Sequence, residues 1–598
     1  MQEYSPYSQY EQRKLQHEQT LRVLKRKQNL LGWIRLGVII AIAIIAYFVF
    51  SGLGAWGWLV VGIGIAAFLT IVSIDSSNNA AISYTKHLID INEEELKVLN
   101  HDFYQLYDGV GFQPSEHAYA GDVDLFGKAS IFQFINRCQT EQGRGLLASN
   151  LIHPLPVSIV KERQLAVQEL APLLEWRQGF QATAMHTPVT QVIQQKIANW
   201  LKQDDAAFTS ATWRFILPVY SFITITTAIA AILDYIPGPV FSFLFLIYFI
   251  TGMLLSKKVM KAYLQLSGIV QSVDTLSELI GSIEGHTFRS TLLIDLQKSI
   301  QTNSRKAHTQ IKELKEILNR FDLRLNVFVF MVLNSFLLWD VRQMRALNKW
   351  KVESKTVLPK SFSAIAEFEV LNSLATLHFN QPSWSFPAFA DYFTLEGKAI
   401  GHPLLAANKR VTSDFALKGK GKIALITGSN MAGKSTFLRS LAVNIILAQV
   451  GAPVCATRFT LSSMELMSSM RIADNLAENT STFYAELKKL ESIITAVKQH
   501  KPMFVLLDEI LRGTNSLDRH IGSKALIRQL IKEQAVAIIA THDIELTKLQ
   551  EEFGNAIENY HFDVQVENDE LFFDYKLKEG VCHSLNASLL MKKIGIEL

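Results

Sequence analysis

The eight residues Gly428-Ser429-Asn430-Met431-Ala432-Gly433-Lys434-Ser435 form a complete phosphate-binding loop, and such a loop works only between a buried strand and the first turn of a helix. Both neighbours are written beside it. The apolar run Ile423 to Thr427 predicts the strand, and Thr436 to Leu447 predicts the helix. The glycines let backbone N–H groups turn inward around phosphates, and the helix N-terminus adds partial positive charge. Lys434 can reach the outer phosphates, and Ser435 is placed to hold magnesium. The chain is therefore expected to bind a nucleoside triphosphate.

Two further apolar runs fit the same site. Met503 to Glu509 (MFVLLDE) ends in paired acids, as expected of a parallel strand whose carboxyl end faces the nucleotide. Asp508 is the expected magnesium ligand beside Ser435, and Glu509 is expected to orient or deprotonate the attacking water. Ala535 to Ala540 leads into Thr541-His542-Asp543, where His542 is placed to sense the terminal phosphate. A lone histidine is more often structural; the other two motifs give this one a role. The expected catalytic set is Glu509, Lys434 and His542.

The 598 residues are 49% hydrophobic, which points to membrane segments. From Leu36 to Ile74 no residue is charged, leaving room for two spans of about 18 to 20 residues around a break near Ser51 to Trp58. A second uncharged block runs from Phe215 to Leu233, breaks at Asp234 to Pro239 and resumes to Ser256. A core helix of a soluble enzyme seldom lacks a polar face over so many turns. Both blocks are read as helical hairpins in a membrane. Arg13, Lys14, Arg22, Lys25, Arg26, Lys27 and Arg35 precede the first, and Arg214, Lys257, Lys258 and Lys261 bracket the second. The positive-inside rule then puts both termini and the nucleotide-binding domain in the cytoplasm of a multi-pass membrane protein. Leu325 to Trp339 is apolar but short and carries Asn326 and Asn334, so it is read as a buried or membrane-surface helix.

Three scattered cysteines, Cys138, Cys455 and Cys582, have no metal-ligand spacing and fit reduced thiols in cytosol. A net charge of +4 gives no argument for nucleic acid. The domains are expected at 1–32 (cytoplasmic tail or amphipathic helix), 33–75 (first hairpin), 76–213 (helical core), 214–256 (second hairpin), 257–378 (long helices) and 379–598 (nucleotide-binding domain). His561 to Val566 and Leu571 to Lys576 read as a β-hairpin.

Several blocks together resemble the MutS family of DNA mismatch-repair ATPases. They are ITGSNMAGKSTFLRS (426–440), QVGAPVCA (449–456), RIADNLAENTSTFYAEL (471–487), LLDEILRGTNSLDR (506–519), ATHDIEL (540–546) and YKLKEGVCHSLNA (575–587). Upstream, DLFGKASIFQFINRCQTEQGRGLLASNLIHPL (124–155) and ERQLAVQEL (162–170) resemble the family's core. The resemblance implies an α/β P-loop ATPase domain of ABC type at the C-terminal end, with an all-α core and lever helices, here joined to two predicted transmembrane hairpins.

It also implies a homodimer with composite sites for ATP and Mg2+, in which Gly428 to Thr436, Asn430 among them, bind the phosphates and Ser481 or Thr482 of the partner reaches the γ-phosphate. Ser481-Thr482 also match a capping box ahead of Glu486. DNA is the ligand implied by descent, and mismatch repair the implied pathway. Departures are equally plain. No Phe-x-Glu wedge that reads a mispaired base is found, and the second apolar hairpin stands where the family has its DNA clamp. Ala432 replaces a loop glycine, Asp543 replaces an aromatic residue, and the end soon after Ile594 implies a shortened C-terminal appendage. The expectation is a membrane-anchored MutS-like ATPase whose lever helices act on the bilayer or on an unknown protein partner. The alternatives are an ABC-type half-transporter, disfavoured by the lack of Leu-Ser-Gly-Gly-Gln between the loop and Asp508, and a soluble mismatch-repair protein with buried apolar helices.

Overall fold

Long uncharged helices and a strand-rich C-terminal part dictate two kinds of architecture in one chain. The computed structural model describes residues 5–203, 208–266, 268–301, 305–429, 432–471, 482–567 and 570–582. The helix Pro6–Leu53 starts at Ser5, whose hydroxyl accepts from Ser8 N at 3.2 Å, with Pro6 in the first turn, where a missing N–H costs nothing. It is one continuous helix about 72 Å long, so the polar stretch expected as a tail or an amphipathic helix continues as helix without a break into the apolar block. A short turn at Gly54–Trp56 leads to the antiparallel helix Gly57–Leu99. Arg35 and Asp75 pair at 3.1 Å, one immediately before and one immediately after the uncharged run, so both apolar segments end at the same level. Nearer the foot, Asn78 donates to Leu24 O at 3.1 Å, and Tyr10 is buried with its hydroxyl 2.8 Å from Asn380 Oδ1.

The second apolar pair is Trp213–Ile232 and Gly238–Leu266. With the first pair it makes four helices long and apolar enough to cross a membrane. Leu325 to Trp339 resolves into the helix Val327–Leu337, bent by 80° at Leu338 (φ 48°) from Trp339–Ser354. This short helix packs on the second pair. Tyr220 donates to Ser335 O at 3.0 Å and Thr224 to Phe336 O at 2.7 Å, while Val327 and Phe328 stay exposed. Ser256 donates to the fully buried Asp340 at 2.5 Å, and Arg342 donates to Ser221 at 2.8 Å. The bend between the two helices is thus tied by polar bonds to both apolar helices.

The helix Val357–Asn380, buried along most of its length, runs through the helical core against Glu141–Ile152 and Val157–Leu170. Strands begin after it. They are β1 (Ala388–Ala390), β2 (Thr394–Ile400), β3 (Ser413–Lys418), β4 (Ile423–Thr427), β5 (Arg458–Ser462), β6 (Glu465–Ser469), β7 (Met503–Asp508), β8 (Val536–Thr541), β9 (Ile557–Phe562), β10 (Gln565–Glu567), β11 (Glu570–Phe572) and β12 (Leu577–Glu579). One sheet has the order β1-β5-β2-β3; the other, β12-β9-β4-β8-β7-β6, is parallel except for β12.

Strands β4, β7 and β8 are buried at every position, as a parallel sheet covered on both faces requires. One face shares a continuous core with the helical region, from Val98 to Val564; the other packs against Ile493, Ile527 and Leu530. The expected β-hairpin near the end is shorter than its sequence suggests. Within it only β10 and β11 pair with each other, because His561 and Phe562 belong to β9, which lies parallel to β4 and pairs antiparallel with β12.

Candidate functional site

Sheet register brings the three sequence motifs to one edge. Thr427 at the end of β4 lies opposite Thr541 of β8, and Asp508 at the end of β7 lies opposite Ala540. Parallel strands open their carboxyl ends into a common crevice, so the phosphate loop, the acid pair and His542 meet there. The loop leaves β4 at Gly428 (φ 139°) and enters the helix Lys434–Val450 at Gly433 (φ 107°). Both angles favour glycine, and a Cβ on Gly428 would sit 2.7 Å from Phe562 O. Ala432 is buried, with its N–H donating to Ser429 O at 3.2 Å. Asn430 and Met431 of the loop, and Ser481, lie outside the described residues.

Lys434 is buried and donates to Gly428 O at 2.7 Å and Ser429 O at 2.9 Å, which aims its ammonium into the loop. Burial pulls its pKa down to about 8, against the raising pull of Glu509 and Asp508. Thr436 follows in the first turn, its carbonyl accepting from Ser440 at 2.7 Å. Burial raises the pKa of the Asp508 carboxyl, and the nearby Ser435 hydroxyl partly offsets that rise.

Asp508 Oδ1 is buried without a hydrogen-bond partner. An orphaned carboxylate oxygen beside a serine hydroxyl and a lysine is a fit for a divalent cation carried in with phosphates. Among the described residues no cluster of three or more His, Cys, Asp or Glu side chains could hold a metal. With its orphaned oxygen, Asp508 is the residue that would hold magnesium together with Ser435, and the ion's chemistry would be to neutralise phosphate charge.

Glu509 turns away from β7 in the left-handed region (φ 52°), as does Leu511 (φ 60°). Such backbone is uncommon outside glycine, costing roughly 1 to 2 kcal/mol per residue. Its effect is to separate the two acids, with Asp508 buried behind and Glu509 directed to His542, whose Nε2 contacts Glu509 Oε1. That hydrogen bond holds the Glu509 carboxyl below its usual pKa, keeping it an anion able to accept a proton from water.

Sequence reasoning passed over Arg512. Its Nε lies 3.1 Å from Glu509 Oε2, and its Nη2 donates to Asp508 O at 3.3 Å. Its signal was a cation three and four residues beyond an acid pair. The departure at Asp543 proves to be a local tie. Asp543 accepts from Glu545 N at 3.1 Å and contacts His520 Nδ1 at 2.6 Å. The buried Glu486 carboxylate accepts from Leu511 N and Arg512 N, while the capping box expected at Ser481 falls outside the described residues.

Residues 424–591 match the family described as MutS domain V. Over 241 residues the chain is 32% identical to DNA mismatch repair protein MutS of Finegoldia magna, covering 39% of this chain and 28% of that protein. It is 34% identical over 248 residues to MutS of Listeria monocytogenes, covering 40% and 28%. It is 32% identical over 241 residues to DNA mismatch repair protein MSH3 of Phaeosphaeria nodorum, covering 38% and 21%. The chain therefore spans less than a third of the length of these relatives. The C-terminal region, in which β4 leads through the loop at Gly428 into the helix Lys434–Val450, is thus similar to MutS domain V.

Proposed function

We propose that this protein is a membrane-anchored ATPase in which ATP binding and hydrolysis at a MutS-type site, shared between two copies, move the long helices of residues 257–378. The observation that carries the reading is the convergence of Lys434, Ser435, Asp508, Glu509 and His542 at the carboxyl ends of three adjacent parallel strands. Lys434 and the loop amides bind phosphates, Ser435 and Asp508 take the magnesium, and Glu509, oriented by His542, accepts the proton of the attacking water. A second copy is supported by the apolar side chains left exposed around the site: Tyr484, Leu487, Leu517 and Ile521.

Membrane anchoring is supported by burial. Only 6% to 17% of the four apolar windows is buried within the protein, whereas the soluble alternative needs those faces packed. Trp33 lies near the Arg35–Asp75 level, and Trp56 and Trp58 lie at the far turn, all exposed, as aromatic residues at two membrane interfaces are. The domain limits given above and the cytoplasmic placement of both termini belong to this proposal. So does DNA. The relatives are DNA mismatch repair proteins, and duplex DNA is the ligand this descent offers for the cytosolic side; an unknown protein partner is the other candidate.

The test is carbonate extraction of membranes containing the full chain, followed by size measurement of the detergent-solubilised protein in ATP and in ADP. Retention in the pellet with an ATP-dependent doubling of mass is expected. Release by carbonate defeats the anchoring, and a monomer in either nucleotide defeats the shared site. Titration of the same protein with matched and mismatched duplex across salt concentrations decides the DNA arm.

A further inference from the structure

Glu509 lies in a turn that its own sequence does not favour, so something must hold it there. The holder is on another element. The helix Thr482–Val497 brings Glu486, 3% exposed, to the turn, where its carboxylate accepts from Leu511 N and, at 3.2 Å, from Arg512 N. Phe483 of the same helix closes on Gly513, where a Cβ would stand 2.6 Å from the Phe483 Cβ. Two carboxylate oxygens on two successive amides fix the turn as a unit, and Arg512 then reaches back to Glu509.

Three residues on from Glu486, hence on the neighbouring face of the helix, Lys489 is fastened elsewhere. Its ammonium lies 2.7 Å from Asp122 Oδ2. Asp122 is 2% exposed and also accepts from Ser468 Oγ at 2.6 Å, after the middle of β6, and from Arg471 N at 3.0 Å. Next to it, Asp124 pairs with Arg471 and, at 3.5 Å, with Arg439 on the helix that leaves the phosphate loop. Asp122 and Asp124 belong to the segment that enters the helical core, more than three hundred residues from every one of these partners. A buried carboxylate with three donors is a rigid joint, and losing any one donor leaves the others misaligned.

We propose that Glu486 is a positioning residue for Glu509, and that Asp122, through Lys489, ties that position to the helical core. The core then sets the reach of Glu509 toward the attacking water without touching nucleotide. A displacement of the turn by about 1 Å is enough to slow chemistry up to ~100-fold while phosphate binding, made by β4 and its loop, is untouched.

This inference rests on the hydrolysis reading, and its test separates the two. ATP turnover, the dissociation constant for magnesium–ADP and the thermal midpoint are measured on the detergent-solubilised full chain. Glu486→Gln is expected to lower kcat about 10- to 100-fold with the ADP constant unchanged. Asp122→Asn and Lys489→Met are each expected to lower kcat about tenfold, and the double variant no further than either single, because both break one link. Lys489→Arg, which keeps the ion pair, is expected to restore most of kcat. Wild-type kcat in the single variants, multiplicative losses in the double, or losses confined to the ADP constant each overturn the positioning role. No turnover by the wild-type protein instead defeats the hydrolysis reading, and this inference with it.

Discussion

Glu95→Gln is a small change that the structure expects to be severe. Glu95 lies near the foot of the first apolar hairpin, 2% exposed, and holds Arg137, itself 6% exposed, through Nε and through Nη2 at 3.2 Å. Asn380 Nδ2 donates to the same carboxylate at 2.7 Å, and Tyr10 closes the chain on Asn380. Despite its burial, the Arg137 guanidinium is pushed above its usual pKa by Glu95. A glutamine leaves that cation buried without a counter-charge and turns an NH2 toward existing donors. Breaking a buried pair in this way costs about 3 to 5 kcal/mol. The internal control is Glu93→Gln, two residues away, where Lys14 pairs at 2.7 Å on the surface and the cost is about 0 to 1 kcal/mol. Denaturant unfolding of the full chain in detergent, followed by a probe in the helical core, reads the difference. Equal midpoints for the two variants would refute the reasoning, because the charge, the amide and the helix are the same and only burial differs.

Other outcomes follow from the loop. Gly428→Ala is expected to abolish triphosphate binding, because its Cβ would meet Phe562 O at 2.7 Å on backbone at φ 139°; fluorescent-nucleotide titration that finds unchanged affinity would remove the steric argument. Lys434 titrates near 8, so affinity for triphosphate is expected to hold up to about pH 8 and fall above it, as the ammonium is lost. Stability should move the opposite way. The folded state binds fewer protons than the unfolded chain between about pH 8 and the ordinary lysine value, so stability rises with pH through that window. Affinity flat to pH 10 would show that Lys434 does not carry the phosphate charge.

What the sequence made legible was local. Ile423 to Thr427 and Met503 to Asp508 are strands because short apolar runs bounded by turn residues leave the backbone no other buried form, and Gly428 and Gly433 mark the two left-handed angles. The apolar blocks announced their helices by length, since an uncharged run of about 18 to 20 residues is long enough to cross a bilayer only as a helix. What stayed hidden was every contact between distant positions. Periodicity carries no information about Asp122 meeting Lys489, or Glu95 meeting Arg137 and Asn380. Glu486 gave no sign of its contact with the turn, because a carboxylate after Ser481-Thr482 fits a helix cap as well as it fits the amides of a turn. The end of the supposed terminal hairpin was misplaced because an alternating run looks the same whether its partner is the next strand or β4. Arg512 was passed over because its spacing from Asp508 and Glu509 suggests an ordinary helix pair, whereas the left-handed turn at Glu509 is what folds it back.

The central claim is that Glu509 performs chemistry on a nucleotide held by Gly428 to Thr436. Single-turnover ATP hydrolysis by purified wild-type protein and Glu509→Gln, with bound nucleotide measured in the same samples, tests it directly. Hydrolysis in the wild type, with full ATP retention and no product in the variant, is the predicted result. Equal product formation by the two proteins would contradict the account.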